Sequence, residues 1–251
     1  MKIDHPHSHH IPALQALWQE AFGDPPAYIR DFFATGFSPR RCLCVTRQDR
    51  VIAAAYWLDC RYDNHKAAYI YAVATAKSQQ GQGHCHGLLA AIHAHLAALG
   101  YAGTILVPGE PGLRAFYRGM GYADFGGMDS IFAVAGDPIS LRQIDPEEFV
   151  ALRRTYLPAG GVVQEGENLA FLSSYASVWG GENFVAAIVA EGETLQCPEL
   201  LGDVSQAPHI LEALNCREGF FRVPGQNQNF SMLFAITDNC PEPSYFGHAF
   251  D

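Results

Sequence analysis

Between one apolar run and another the chain carries Ser78-Gln79-Gln80-Gly81-Gln82-Gly83. The run before it, residues 67–76, is rich in Tyr, Ile and Val with few charges, as befits a central strand buried on both faces. After it, Leu88, Leu89, Ile92, Leu96 and Leu99 recur at helical spacing up to Gly100. A strand that enters a glycine-rich turn and then a helix is a device for holding phosphate. Glycines let the backbone turn sharply and approach a ligand. The first amides of the helix are unpaired, and the macrodipole favours an anion beside them.

Three phosphate-binding schemes use this geometry. A P-loop requires Gly-x-x-x-x-Gly-Lys-Ser/Thr, and neither a lysine nor a Ser/Thr follows Gly83 in place. A dinucleotide fingerprint requires Gly-x-Gly-x-x-Gly, but the sixth position counted from Gly81 is His86. It also expects an acid at the end of the next strand; residues 104–107 offer none, and Glu110 comes late.

The third scheme fits better. Residues 73–89 (VATAKSQQGQGHCHGLL) resemble the acyl-CoA-binding motif of the GNAT superfamily of N-acetyltransferases, Gln/Arg-x-x-Gly-x-Gly/Ala after a strand. Gln80, Gly81, Gln82, Gly83, His84 and Cys85 fall on its six positions. Cys85 departs from the usual Gly or Ala; being small, it is expected to tighten the fit to phosphate slightly. A second stretch, Leu113-Arg114-Ala115-Phe116-Tyr117-Arg118-Gly119-Met120-Gly121-Tyr122, is similar to the superfamily's later motif. The whole of residues 17–122 looks like a bacterial two-domain branch of that superfamily. The resemblance covers half the chain well and the rest in outline.

The resemblance implies acetyl-CoA as co-substrate and an amine acceptor, small molecule or peptide. The backbone of Val73 and Thr75 would hold the acyl carbonyl and pantetheine arm, and the amides from Gln80 to Cys85 the pyrophosphate. Acyl transfer to an amine needs a free amine, a polarised carbonyl and a proton for the leaving thiolate. Tyr117 falls where relatives often place the proton donor, and a positioned general acid contributes about 10²- to 10⁴-fold. A backbone N–H near Ala74 or Thr75, where the strand splays, would polarise the carbonyl. Two general bases stand as candidates: Glu110, and the free α-carboxylate of Asp251, since some two-domain relatives bring a C-terminal carboxylate into the site. The competing reading is a non-catalytic acyl-CoA-binding or sensory protein that keeps the turn and has lost the acceptor.

The expected fold is α/β: a mixed, largely antiparallel sheet flanked by helices, with a parallel splayed pair at the cofactor. Asp137-Pro138 reads as a linker, dividing an acyl-CoA-binding domain (1–136) from a smaller α+β domain (137–251), a degenerate copy without a phosphate turn. In that second part we expect a strand over 139–144, helices over 146–156 and 168–179, strands over 184–190 and 194–201, a helix over 208–214, and strands over 219–223 and 230–235. Charge divides at the same place. Residues 1–136 carry 11 Lys/Arg against 10 Asp/Glu; residues 137–251 carry 5 Arg against 16 Asp/Glu, a net −11. That imbalance speaks against nucleic acid. A solvated acidic surface is its first reading, and an acidic wall for a cationic acceptor its second.

The remaining features exclude more than they assign. No apolar run approaches the roughly 18 residues of a membrane span. The start, MKIDHPHSHH, lacks a signal's apolar core, so a cytoplasmic protein is the expectation. Seven scattered cysteines argue for reduced, buried thiols. The histidine pairs 84/86 and 93/95 lie two apart on a helix and cannot chelate together, so no metal is expected. A homodimer is the oligomer left open.

Overall fold

The computed structural model describes residues 1–250. The first half comprises β1 (Lys2–Asp4), α1 (Ile11–Phe22), α2 (Pro26–Thr35), β2 (Cys42–Arg47), β3 (Arg50–Tyr62), β4 (His65–Thr75), α3 (His84–Ala98), β5 (Gly103–Leu106), α4 (Leu113–Arg118) and β6 (Ala123–Val134). The second comprises β7 (Arg142–Gln143), α5 (Pro146–Tyr156), β8 (Val163–Gln164), α6 (Glu167–Tyr175), β9 (Ser177–Gly180), β10 (Phe184–Glu191), β11 (Thr194–Gly202), α7 (Ala207–Ala213), β12 (Glu218–Pro224) and β13 (Gln228–Ala235).

These strands form one sheet, ordered β1-β2-β3-β4-β5-β13-β6-β12-β11-β10-β9-β7, with β8 on β3. Among the described residues two of its strand pairs are parallel, β4/β5 and β11/β12. The expected fold class is therefore the one observed. The division expected at 136/137 does not coincide with a break in the sheet: β13, near the end of the chain, lies between β5 and β6 and pairs with both. The second half does repeat the first in outline, since β10, β11, α7 and β12 follow one another as β3, β4, α3 and β5 do.

Local chemistry explains most boundaries. Gly23 ends α1 in the left-handed conformation, φ 74°, its N–H donating to Gln19 O. Pro25 and Pro26 open α2 without a side-chain cap, and the Asp24 carboxylate instead accepts the Trp18 Nε1–H at 2.7 Å. The long helix expected over 168–179 stops at Tyr175, and Val178 and Trp179, better suited to a strand, join β9. Of residues 139–144 only Arg142 and Gln143 form a strand. No helix among the described residues is long and apolar enough to cross a membrane.

Candidate active site

The site begins where two parallel strands part. β4 and β5 are paired from Ala67/Gly103 to Tyr69/Ile105. β5 ends at Leu106, with Pro108, which has no N–H, two residues on, while β4 continues to Thr75. Along that stretch β4 also bulges: Tyr71 faces Tyr56 and Ala74 faces Ala54, leaving Ala72 and Val73 opposite one residue. Ala72 takes the strain, at φ 47°. Ala76 N–H donates to Ile52 O at 2.9 Å. Ladder alternation then turns Ala74 towards β3 and the N–H and C=O of Thr75 away from it, into the gap. The Thr75 carbonyl indeed accepts from Gln80 Nε2 on that side, at 3.3 Å.

The strand delivers the chain to the glycine turn. Gly81 and Gly83 both hold left-handed φ, 74° and 78°, and a Cβ on either would meet nothing within 4 Å. The turn is thus open on its outer side, and its backbone is free to meet a ligand. Gly83 is the N-cap of α3, which has neither a side-chain cap nor an acid in its first turn. Those amides therefore fit an anionic group. The second half differs at the matching place: Asp203, ahead of α7, accepts the Ser205 N–H at 3.0 Å with its own carboxylate. A negative charge already occupies that turn.

A cavity of about 1150 Å³ lies beside the gap. Val73, Ala74, Thr75, Gln80, Glu110 and Tyr117 all line it. Gln82 lies between the two glycines, and His84 and Cys85 open α3; His84 is buried and its Nε2 has no partner. Cys85 packs inward on the cluster of Leu88, Tyr117 and Tyr122. The tighter phosphate fit expected of it does not follow, because its side chain leaves the outer face of the turn clear.

Tyr117 is 7% exposed. Burial, with Cys85 beside it, raises its pKa, so it keeps its proton at ordinary pH. Six-residue α4 has no stability of its own; Arg114 and Arg118, one turn apart, both pair with Asp124 on β6. Arg114 also donates to Phe230 O on β13 at 2.8 Å. Sequence reasoning missed Asp124, though its place just after the second motif, with two arginines on one helical face, was a usable signal. Glu110 is exposed at the start of the turn into α4. Asp251 lies outside the described residues.

Ser130 on β6 also lines the wall, and the second half adds Arg222 on β12, Gln196, Cys197 and Pro198 on β11, and Phe250. None of the acids at 137–250 is on the wall. The acidic wall expected from the net −11 is therefore not formed by the described residues; those carboxylates sit elsewhere. A strap carries Phe250 to the cavity. Gln164 Nε2 donates to His248 O at 2.6 Å, and His248 N–H returns to Gln164 Oε1 at 3.0 Å. Buried Arg153 donates to both oxygens of buried Glu199, at 2.7 and 3.0 Å, and His248 Nε2 lies 2.7 Å from the same carboxylate. Burial alone would raise the Glu199 pKa; Arg153 and His248 hold it low.

One histidine cluster invites a metal reading. His9 Nε2 and His10 Nε2 lie 3.1 and 3.0 Å from the carboxylate of Asp49. His10 Nδ1 accepts the His7 N–H, however, so its Nε2 carries the proton and donates to Asp49. That nitrogen has no lone pair for a metal, and the cluster is a clasp between the N-terminal segment and the β2–β3 turn.

Comparison with known proteins agrees with this architecture. Residues 2–124 match the family model of the acetyltransferase (GNAT) domain. A search of curated proteins by sequence finds no significant match. Solved structures share the fold over nearly the whole chain at low identity. A GCN5-related N-acetyltransferase from Kribbella flavida aligns with TM-score 0.69 at 16% identity, over 92% of this chain and 70% of that one. Eis1 from Mycobacterium abscessus gives 0.70 at 12%, over 94% and 74%. A putative acetyltransferase from Pyrococcus horikoshii gives 0.66 at 14%, over 98% and 93%. Residues 2–124, just under half of the chain, thus carry the signature of an acetyltransferase (GNAT) domain, and the chain as a whole shares the fold of these structures.

Proposed function

We propose that the protein is an acetyl-CoA-dependent N-acetyltransferase acting on a primary amine. One observation carries this reading: the gap between β4 and β5, Gln80 at the start of the open glycine turn and buried Tyr117 all border a single cavity. Bound acetyl-CoA supplies an activated thioester. The amides from Gln80 to Cys85 would hold its pyrophosphate, and the edge of β4 at Val73 and Thr75 its pantetheine arm. The N–H of Thr75 is the oxyanion donor, because the ladder turns it into the gap while that of Ala74 is spent on β3. Tyr117 holds a proton at its hydroxyl for the departing sulfur. Glu110 is the base among the described residues, acting on the amine directly or through water, and Asp251 is the second candidate.

The supporting test is release of CoA from acetyl-CoA by the full chain in the presence of a broad panel of amines. We expect amine-dependent release, with Glu110→Gln lowering it most at low pH, where less free amine is present. Binding of acetyl-CoA with no release for any amine would overturn the enzymatic reading in favour of a sensor.

A further inference from the structure

Beyond the gap, the cavity wall is aromatic. Trp18 and Phe22 come from α1, Tyr28 from α2, Tyr71 from β4, Tyr175 from α6 and Phe250 from the strap. They form one continuous cluster, of which Phe22, Tyr28 and Tyr175 are the more exposed members and Trp18, Tyr71 and Phe250 the buried ones: Trp18 lies edge-on to Tyr71 with centroids 5.3 Å apart, Tyr28 meets Tyr175 at 5.5 Å, and Phe250 meets Tyr71 at 5.6 Å. The hydroxyls of Tyr28 and Tyr71 are 3.0 Å apart, which fixes the two rings together. Phe250 is held to the group by contact with Phe171 at 5.0 Å and by the strap.

The charged residues described on this wall are two cations, Lys77 and Arg222, and two carboxylates, Asp24, committed to Trp18 Nε1, and exposed Glu110. A polycation entering here would shed water from several charges with few groups to receive them. A single ammonium sheds one, and ring faces accept it. Low-dielectric surroundings then favour its neutral form, the form that attacks a thioester. A planar group attached to that amine would lie against the rings and bury further apolar area. The volume, about 1150 Å³, exceeds the ~300–1,000 Å³ usual for one ligand, so both reactants fit.

From these observations we infer the acceptor class: a single amine carried on an aromatic or other planar apolar group. The inference rests on the acyl-transfer reading above, and its test separates the two. Titration calorimetry on the full-length protein, alone and loaded with CoA, compares phenethylamine with spermidine and ethylamine. Phenethylamine is expected to bind about tenfold tighter or more than either. Phe22→Ala removes most of that margin; Phe22 is 47% exposed, so its loss leaves the core intact. Equal or tighter binding of spermidine or ethylamine overturns the acceptor class, as does a margin that survives Phe22→Ala. Because binding is read without turnover, a protein that shows the preference yet transfers no acetyl group sustains the acceptor class and counts against the transferase reading alone.

Discussion

Gly83 concentrates the cofactor half of the account in one residue. Its φ of 78° disfavours any side chain, and a Cβ there would project into the open space where the proposed pyrophosphate would sit. Gly83→Val should weaken acetyl-CoA binding about tenfold or more, from roughly 1–2 kcal/mol of backbone strain plus obstruction. The same strain is carried by the unliganded protein, so Tm should also fall by roughly 2–8 °C; calorimetry and thermal melting read the two quantities separately. Tyr117 raises a different question, because a phenol made less acidic by burial is a weaker donor. Burial also pushes the neighbouring Cys85 thiol up to about 11, and a thiolate leaving in the same surroundings becomes more basic too, which keeps donor and acceptor matched. At this scale the sequence was readable where side-chain absence was the message, at Gly81 and Gly83. It was silent at Ala72, whose positive φ is imposed by the bulge and carries no glycine to announce it.

Short elements depend on what they are tied to. α4 has six residues, below the ~12–15 at which a helix persists alone, and Asp124 ties it to β6. Asp124→Ala should release α4 and swing Tyr117 away, lowering kcat about tenfold or more while leaving the acetyl-CoA Kd within about twofold. An equal fall in binding would show instead that α4 supports the cofactor. Elements with strong periodicity, such as α3 and β4, were legible from the sequence. The helix expected to run to residue 179 was too long because an apolar run of that length suits helix or buried strand equally, and pairing with β10 decided it.

At the level of the whole molecule, continuity of the sheet was the property hidden from sequence. Nothing in residues 228–235 marks them for insertion between β5 and β6, since alternating apolar residues say that a strand forms and not which neighbours it takes. A fragment ending at residue 136 would leave both β5 and β6 with an open edge. It should aggregate or unfold without a cooperative transition, although the family model ends within it; a sharp melt for that fragment would contradict the topology. Acid stability depends on another buried group. Burial lowers His93 from 6.5 to about 4, its ring stacked on Phe234 of β13. The unfolded chain binds that proton first, so stability is complete above pH 6.5 and is lost as pH falls from 6.5 towards 4, by up to about 3 kcal/mol. Denaturant titrations at those two pH values check the slope, and His93→Gln should flatten it. The central claim remains chemical and is decided by single-turnover acetyl transfer at saturating acetyl-CoA and amine, wild type against Tyr117→Phe. A fall of about 10²- to 10⁴-fold in the transfer rate, with the acetyl-CoA Kd unchanged, is the predicted result; an unchanged rate would contradict the account.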